Sequence, residues 1–175
     1  LSTPVGFDWD GDGDEDIICG NTAGHVAFFE NLSGPKVEHP RWGASHLLQA
    51  AGKTLRIMAG SNGSIQGPCE SKWGYTTQTV ADWDHDGLPD LIVNSILGKV
   101  VWYRNIGDRH APKLTAAQPI KVQWREEQPA LKWGWMRPEG NALLTQWRTT
   151  PVVVDWNHDG LKDLLMLNHE GHLTL

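Results

Sequence analysis

Short runs of β-branched and apolar residues, separated by glycine-containing and polar turns, recur along the chain and predict strands. Residues 79–81 and 151–154 lead into loops that are rich in aspartate, and residues 90–94 leave one of these loops. A turn with Gly98 then leads to residues 99–103, which is the pattern and turn chemistry of a hairpin. Residues 120–124 are the best candidate for a fourth strand of this unit. The pattern predicts an all-β fold.

The aspartate loops recur at a nearly constant interval. Their first acids are Asp8, Asp82 and Asp155, which gives spacings of 74 and 73 residues. Similarity continues beyond the loops, since residues 24–31 match residues 98–105. Four strands in about 73 residues, repeated, predict β-propeller blades built from four-stranded antiparallel sheets and carrying insertions.

The repeat units predicted from this alignment are residues 1–75, 76–148 and 149–175, and the last unit is truncated. All three belong to one propeller domain. They make about two and a half blades of a larger propeller, which we expect to have seven or eight. Since the chain starts at Leu1 and stops in a predicted strand, we expect the remaining blades elsewhere in a longer chain.

The spacing of acids within each loop predicts a site for a hard cation. Side-chain oxygens at alternate positions of a tight loop can surround calcium, which takes six to eight oxygens, while magnesium prefers fewer protein ligands and more water. Glycine at the sixth position permits the sharp turn, and the carbonyl of the seventh residue can complete the shell. Up to three structural Ca²⁺ sites are therefore predicted. Their ligands are Asp8, Asp10, Asp12, Asp16 and the Asp14 carbonyl; Asp82, Asp84, Asp86, Asp90 and the Leu88 carbonyl; and Asp155, Asn157, Asp159, Asp163 and the Leu161 carbonyl. Because Asn157 removes one charge, we expect the third site to bind calcium more weakly.

Charge and composition agree with this interpretation. The net charge is −6, and 11 of the 21 acidic residues occupy the predicted ligand positions. There is no basic stripe for nucleic acid and no apolar run long enough to span a membrane. The two cysteines, Cys19 and Cys69, do not make a disulfide framework. The 10 tryptophans suggest an all-β protein, a carbohydrate-contacting surface, or both.

The three loops with their flanking strands resemble FG-GAP (VCBS-type) repeats, which occur in integrin propellers and in many bacterial secreted proteins. The resemblance covers about two-thirds of the chain and excludes the insertions after Asn31 and Asn105. It implies a calcium-binding propeller that is secreted, periplasmic or on the cell surface. The Phe-Gly and Gly-Ala-Pro signature of integrin blades is absent, which argues against an integrin.

The resemblance also implies which face binds a ligand. In such propellers the innermost strand runs from the ligand face toward the calcium loops, so the segments before that strand and the turns between second and third strands lie on the face away from calcium. Flat aromatic side chains on these long segments can stack on sugars, and Arg or Lys can pair with carboxylates. The predicted ligand surface contains Trp73, Trp133, Trp135, Arg137, Gln146 and Trp147, although these tryptophans can equally pack between blades.

Two functions remain open from the sequence, with a pure scaffold as a third. The first is a secreted enzyme on an acidic polysaccharide, most simply a lyase, which needs a base and a cation that neutralises the uronate carboxylate. The second is a non-catalytic module that binds a cell-surface glycan or protein. Tyr75 and Arg148 occupy equivalent repeat positions at the mouth of the inner strand. With Lys72 and His25 they are the candidate catalytic residues.

Overall fold

The computed structural model describes residues 2–123, 139–168 and 170–175. The described chain is almost entirely β and turn, with one short 3₁₀ helix at Pro68–Glu70. Its strands form small antiparallel sheets rather than a closed barrel. The predicted all-β class is therefore confirmed.

The strands follow one another in sheet order along the chain. The first sheet has the order β1 (Ser2–Phe7), β2 (Asp16–Asn21), β3 (Val26–Phe29) and β4 (His46–Leu47). A two-stranded ribbon follows, made of β5 (Gln49–Ala50) and β6 (Lys53–Thr54). The second sheet contains β7 (Thr77–Ala81), β8 (Asp90–Asn94), β9 (Val101–Tyr103) and β10 (Gln118–Pro119). The third contains β11 (Val152–Val154), β12 (Asp163–Leu167) and β13 (Leu173–Thr174).

Each large sheet places its aspartate loop between its first two strands. In each sheet the pair that closes the loop joins the residue before the first loop acid to the aspartate at the ninth loop position. These pairs are Phe7 with Asp16, Ala81 with Asp90 and Val154 with Asp163. The three loops therefore begin and end at equivalent positions of the three sheets.

The second sheet is packed on both faces, which explains the uninterrupted apolar run of β8. Leu91 and Val93 belong to a core shared with Ile18 and Val26 of the first sheet. Ile92 points to the opposite face and joins a second core that contains Met166 of the third sheet. Successive strand residues alternate between faces, so a strand between two cores is apolar at every inner position.

Buried polar side chains join the first strands of neighbouring sheets. The Gln78 amide nitrogen donates to the carbonyls of Thr3 (2.5 Å) and Ile18 (3.0 Å). On the other side of β7, the Thr77 hydroxyl donates to the Thr149 carbonyl at 2.6 Å. Because these side chains are fully buried, each bond satisfies a polar group that water cannot reach.

One sequence expectation requires adjustment. The fourth strand of the second sheet is Gln118–Pro119, so residues 120–123, the described part of the strand predicted at 120–124, lie after it rather than forming it. Ile120 instead turns inward and its N–H donates to the Val100 carbonyl at 3.1 Å. Cys19 is half-buried in β2, Cys69 is exposed, and both thiols are free.

Among the described residues, none forms a helix with the length and apolar character that crossing a bilayer requires.

We predict that Gln78→Leu lowers the free energy of unfolding by about 1–3 kcal/mol, because the carbonyls of Thr3 and Ile18 lose a buried donor. Urea unfolding followed by tryptophan fluorescence measures the change. Gln118→Leu makes the same substitution at an exposed strand position and should stay within about 0.5 kcal/mol. Equal losses in the two variants would contradict a structural role for the Gln78 bonds.

Candidate metal centres and the opposite face

The three loops share one backbone shape. The sixth residue of each is a glycine with positive φ, as the sequence predicts: Gly13 at 96°, Gly87 at 87° and Gly160 at 87°. The fourth residue also has positive φ, which the sequence analysis did not anticipate because two of the three are histidines. These residues are Gly11 at 76°, His85 at 60° and His158 at 60°. Two left-handed residues in one short loop fold the chain tightly enough to turn alternate side chains toward one centre.

The aspartate at the ninth position anchors each loop. The Asp16 carboxylate is buried and accepts N–H bonds from Trp9 and Asn31, both at 2.9 Å. The Asp90 carboxylate is buried and accepts the equivalent bonds from Trp83 at 3.1 Å and Asn105 at 2.7 Å. This carboxylate therefore ties the start of the loop to the end of the third strand.

Two of the loops gather three carboxylates into a cluster that could hold a metal ion. In the first loop, ligand atoms of Asp8, Asp10 and Asp16 all lie within 4.8 Å of one another. In the second loop, the same spacing joins Asp82, Asp84 and Asp90. Both sets are predicted ligands at the first, third and ninth positions.

Several carboxylate oxygens of the first two loops are buried without a hydrogen-bond donor. They are one oxygen each of the clustered Asp8, Asp10 and Asp84, and one of Asp14 in the first loop. A buried anionic oxygen without a partner carries a large desolvation cost. A divalent cation is the group whose charge and coordination would offset that cost at these positions.

Burial and repulsion between neighbouring carboxylates also shift the pKa values of several loop acids. Burial raises the pKa of Asp16, and the charge of Asp10 adds to the rise, although backbone N–H donors oppose it. Burial likewise raises the pKa of Asp90. Burial raises the pKa of Asp14, and the charge of Asp12 adds to the rise. The loops therefore favour a bound positive charge.

The fifth-position acids lie outside the two clusters. The carboxylate oxygens of Asp12, Asp86 and Asp159 accept N–H bonds from the seventh residues, Asp14, Leu88 and Leu161, at 3.1, 3.0 and 2.8 Å. These bonds hold the backbone N–H groups of the seventh residues, whose carbonyls are predicted ligands. The Asp14 side chain accepts an N–H bond from Gly34 at 3.0 Å and so also holds the insertion that follows β3.

The third loop repeats the backbone bonding of the second. Asp155 accepts N–H bonds from Asp159 and Gly160, as Asp82 does from Asp86 and Gly87. Asn157 occupies the third loop position, where the other two loops have a clustered aspartate. Its side-chain amide donates to the Asp159 carboxylate at 2.9 Å. The third loop thus has the shape of the others with less negative charge.

Two arginines contact the loops, and the sequence analysis missed both. Arg104 pairs with Asp84 at 2.6 Å and with Asp86 at 3.0 Å. The hydrogen bond to Asp86 and the charge of Asp84 raise the pKa of the guanidinium. Arg109 reaches from the second unit to the first loop, where it donates to the Asp8 carbonyl at 2.5 Å and pairs with the Asp8 carboxylate at 3.1 Å.

The ends of the sheets away from the aspartate loops meet in one place. The turn after β2 accepts N–H bonds from Gly74 and Tyr75 through the Thr22 carbonyl, at 2.9 and 3.1 Å. The turn after β8 accepts an N–H bond from Arg148 through the Ser95 carbonyl at 3.0 Å. The segments preceding the inner strands and the turns after the second strands therefore lie together on the face opposite the loops.

Tyr75 and Arg148 form a stacked pair on this face. The Arg148 guanidinium lies 3.6 Å from the Tyr75 ring centre and 4.1 Å from the Trp147 ring centre. Both residues of the pair have positive φ, 47° for Tyr75 and 62° for Arg148. Left-handed backbone at two non-glycine residues costs about 1 kcal/mol or more each, so their contacts must hold them.

A residue that the sequence analysis missed, Glu70, lies at the centre of this pair. Its buried carboxylate accepts from the Arg148 guanidinium at 2.8 and 3.1 Å, from the Tyr75 hydroxyl at 3.0 Å and from the Ser64 hydroxyl. Burial raises its pKa, but the Ser64 and Tyr75 donors and the Arg148 charge outweigh burial. The pKa of Glu70 therefore lies below its ordinary value of 4.5. Burial and the bond to Glu70 raise the pKa of Tyr75.

The other predicted residues of this face make contacts of their own or are exposed. The His25 ring nitrogen Nδ1 contacts the Leu55 carbonyl at 3.1 Å, and Lys72 is exposed. Trp73 is also exposed. The backbone carbonyl of Gln146 accepts a hydrogen bond from the Asn94 side-chain amide at 2.9 Å. The predicted ligand residues Trp133, Trp135 and Arg137 lie outside the described residues.

No family model, curated protein or solved structure matches this chain.

We predict that Glu70→Gln destabilises the protein at neutral pH by about 2 kcal/mol, because Arg148 loses a buried counter-charge. A pKa below 4.5 in the folded protein means that the Glu70 carboxylate stabilises the fold above pH 4.5, and that this contribution disappears as the pH falls through the folded value. The difference between the two proteins should therefore shrink toward acid.

Urea unfolding at a series of pH values measures this dependence. Exposed Glu38→Gln provides the control and should follow the parent at every pH. A Glu70→Gln deficit that stays constant down to about pH 3 would show that the carboxylate charge is not what stabilises the cluster.

Proposed function

We propose that the chain is a stretch of calcium-binding β-propeller blades from a secreted, periplasmic or cell-surface protein. The observation that carries the proposal is the pair of carboxylate clusters, Asp8, Asp10, Asp16 and Asp82, Asp84, Asp90, with unpartnered buried oxygens in both. Calcium is favoured because loop oxygens supply a large and flexible shell, whereas magnesium keeps more of its water. The ion would tie the end of each first strand to the start of the second.

The sheet arrangement supports the propeller part of the proposal. The first strands β1, β7 and β11 contact one another in order, and each sheet runs outward from them. Neighbouring sheets pack face to face through two separate apolar cores. Successive antiparallel sheets with adjacent first strands are the arrangement of propeller blades, and further blades of the same chain would complete the ring.

We predict that calcium raises the stability of the metal-free protein by about 2.7 kcal/mol per site when its concentration is 100 times the dissociation constant. Thermal unfolding in a chelator, with added calcium and with added magnesium measures the effect. Magnesium should stabilise less at equal concentration.

The double variant Asp10→Asn with Asp84→Asn should lose most of the calcium response, since each substitution removes one charge from a three-carboxylate cluster. Exposed Glu38→Gln changes the same chemistry elsewhere and should keep the response. A calcium response that survives the double variant would assign calcium binding to other residues.

For the opposite face we propose non-catalytic binding of a polysaccharide or cell-surface glycan. The Glu70 contacts favour this function over a lyase. The Arg148 guanidinium already has a carboxylate partner within the chain, so a substrate uronate would have to displace Glu70. The Tyr75 hydroxyl donates to the same carboxylate and its pKa is raised, which is opposite to what a general base needs. Exposed Trp73 and Lys72 provide an aromatic and a cationic group for an acidic sugar.

We predict that Trp73→Ala weakens binding of polygalacturonate by about tenfold, which corresponds to about 1.4 kcal/mol of lost stacking. Affinity electrophoresis or calorimetry measures the binding. Trp42 is the matched control, because it is 41% exposed against 42% for Trp73 and pairs with Asn31 near the first loop, away from the proposed glycan face.

The parent protein and a Tyr75→Phe variant, incubated with the same polysaccharide, distinguish a lyase from a non-catalytic binding module. Absorbance of unsaturated uronate that disappears in Tyr75→Phe would establish a lyase and overturn the non-catalytic function. Equal binding by Trp73→Ala, Trp42→Ala and the parent would exclude Trp73 from the glycan site.

A further inference from the structure

The second aspartate loop is paired with a cationic side chain of its own unit, Arg104. This residue follows β9, and its backbone is fixed by Thr115, whose N–H donates to the Arg104 carbonyl at 2.8 Å and whose hydroxyl accepts from the Arg104 N–H at 3.2 Å. From this anchored position the guanidinium reaches one oxygen of Asp84 at 2.6 Å and one oxygen of Asp86 at 3.0 Å.

The first loop has no arginine of its own unit at the equivalent position. The repeat alignment places Glu30 where the second unit has Arg104. Arg109 from the second unit does approach the first loop, where it donates to the main-chain carbonyls of Asp8 and Trp9 at 2.5 and 3.3 Å and pairs with the Asp8 carboxylate at 3.1 Å. The carboxylates of Asp10 and its equivalent Asp84 each keep an unpartnered buried oxygen, but among the described residues only Asp84 of the two forms an ion pair.

A guanidinium and a metal ion make competing demands on Asp84. Asp84 is one of the three carboxylates that converge in the second loop, and its Arg104-bound oxygen is withdrawn from a cation while the ion pair persists. Two positive charges a few ångströms apart also repel each other. The Arg104 side chain is 41% exposed, so it can leave the loop for water.

We propose that Arg104 is an internal competitor for the second metal site. The guanidinium and a divalent cation alternate on Asp84 and Asp86, so Arg104 lowers the calcium affinity of the second loop, and occupancy of that loop is coupled to release of Arg104. This inference rests on the proposed calcium binding by the loops and adds a residue that sets the affinity of one of them.

The test uses the full chain carrying Asp10→Asn and Asp155→Asn, which weaken the first and third loops so that calcium binding reports on the second. Arg104→Gln, Arg104→Lys and Arg41→Gln are added to this background, and calcium affinity is measured by isothermal titration calorimetry. Arg41 is the matched control, because it is exposed and forms no ion pair among the described residues.

Arg104→Gln should bind calcium about fivefold more tightly than the background, the upper range for breaking a partly exposed ion pair. Arg104→Lys keeps the charge but loses the forked contact, so it should tighten binding less. Arg41→Gln should stay near the background value. Thermal unfolding gives a second readout, in which calcium should shift the midpoint more for Arg104→Gln than for Arg41→Gln.

Unchanged or weaker calcium binding by Arg104→Gln would overturn the proposal, and weaker binding would show that Arg104 instead organises the loop. The parent chain with intact loops is titrated in parallel. If the parent binds no calcium, the proposed metal function fails as well. If the parent binds calcium and Arg104→Gln matches the background, only the role of Arg104 is refuted.

Discussion

The buried aspartate at the ninth loop position is the contact on which the rest of each unit depends. Asp16 and Asp90 each accept two main-chain N–H bonds, one from the second residue of the loop and one from the asparagine that follows the third strand. Three stretches of chain are thereby held at one carboxylate. The same buried group belongs to the acidic cluster, so an ion bound there would act on the point where loop and sheet join. The contacts of the sheet and the gathering of the acidic cluster therefore depend on the same carboxylate.

The two ends of the sheets carry different electrostatics. At the loop end, negative charge exceeds the positive charge that Arg104 and Arg109 supply. At the opposite end, Glu70 and Arg148 neutralise each other within a cluster that also engages Tyr75. A charge-neutral cluster is suited to holding neighbouring units in place. In the proposed glycan-binding function, recognition at this end would fall to exposed side chains around the cluster, such as Trp73.

The extent of successful prediction follows the extent of the repeat. The loop acids and the strands around them were predictable because three aligned copies reveal which oxygens share a position, and those positions converge in two loops. Glu70 was not predictable, because it lies in an insertion without an aligned counterpart and its partner Arg148 is 78 residues away. Arg104 was missed because the alignment pairs it with Glu30, an opposite charge. The fourth strand ends at Pro119 rather than beginning at Ile120, since Ile120 is drawn into the core beside Val100.

The loop at residues 106–111 gives the units a mutual dependence. Arg109 and His110, from the second unit, contact the carbonyls of Asp8, Trp9 and Asp10 in the first. The main chain of one loop is therefore held in shape by the next unit along the chain, as in repeat proteins whose stability resides in nearest-neighbour interfaces. A single unit cut from such an array loses its brace along with its neighbour. Gain or loss of units by duplication and deletion would then preserve these contacts only when it occurs in whole units, because a partial unit would leave an adjoining loop without its support.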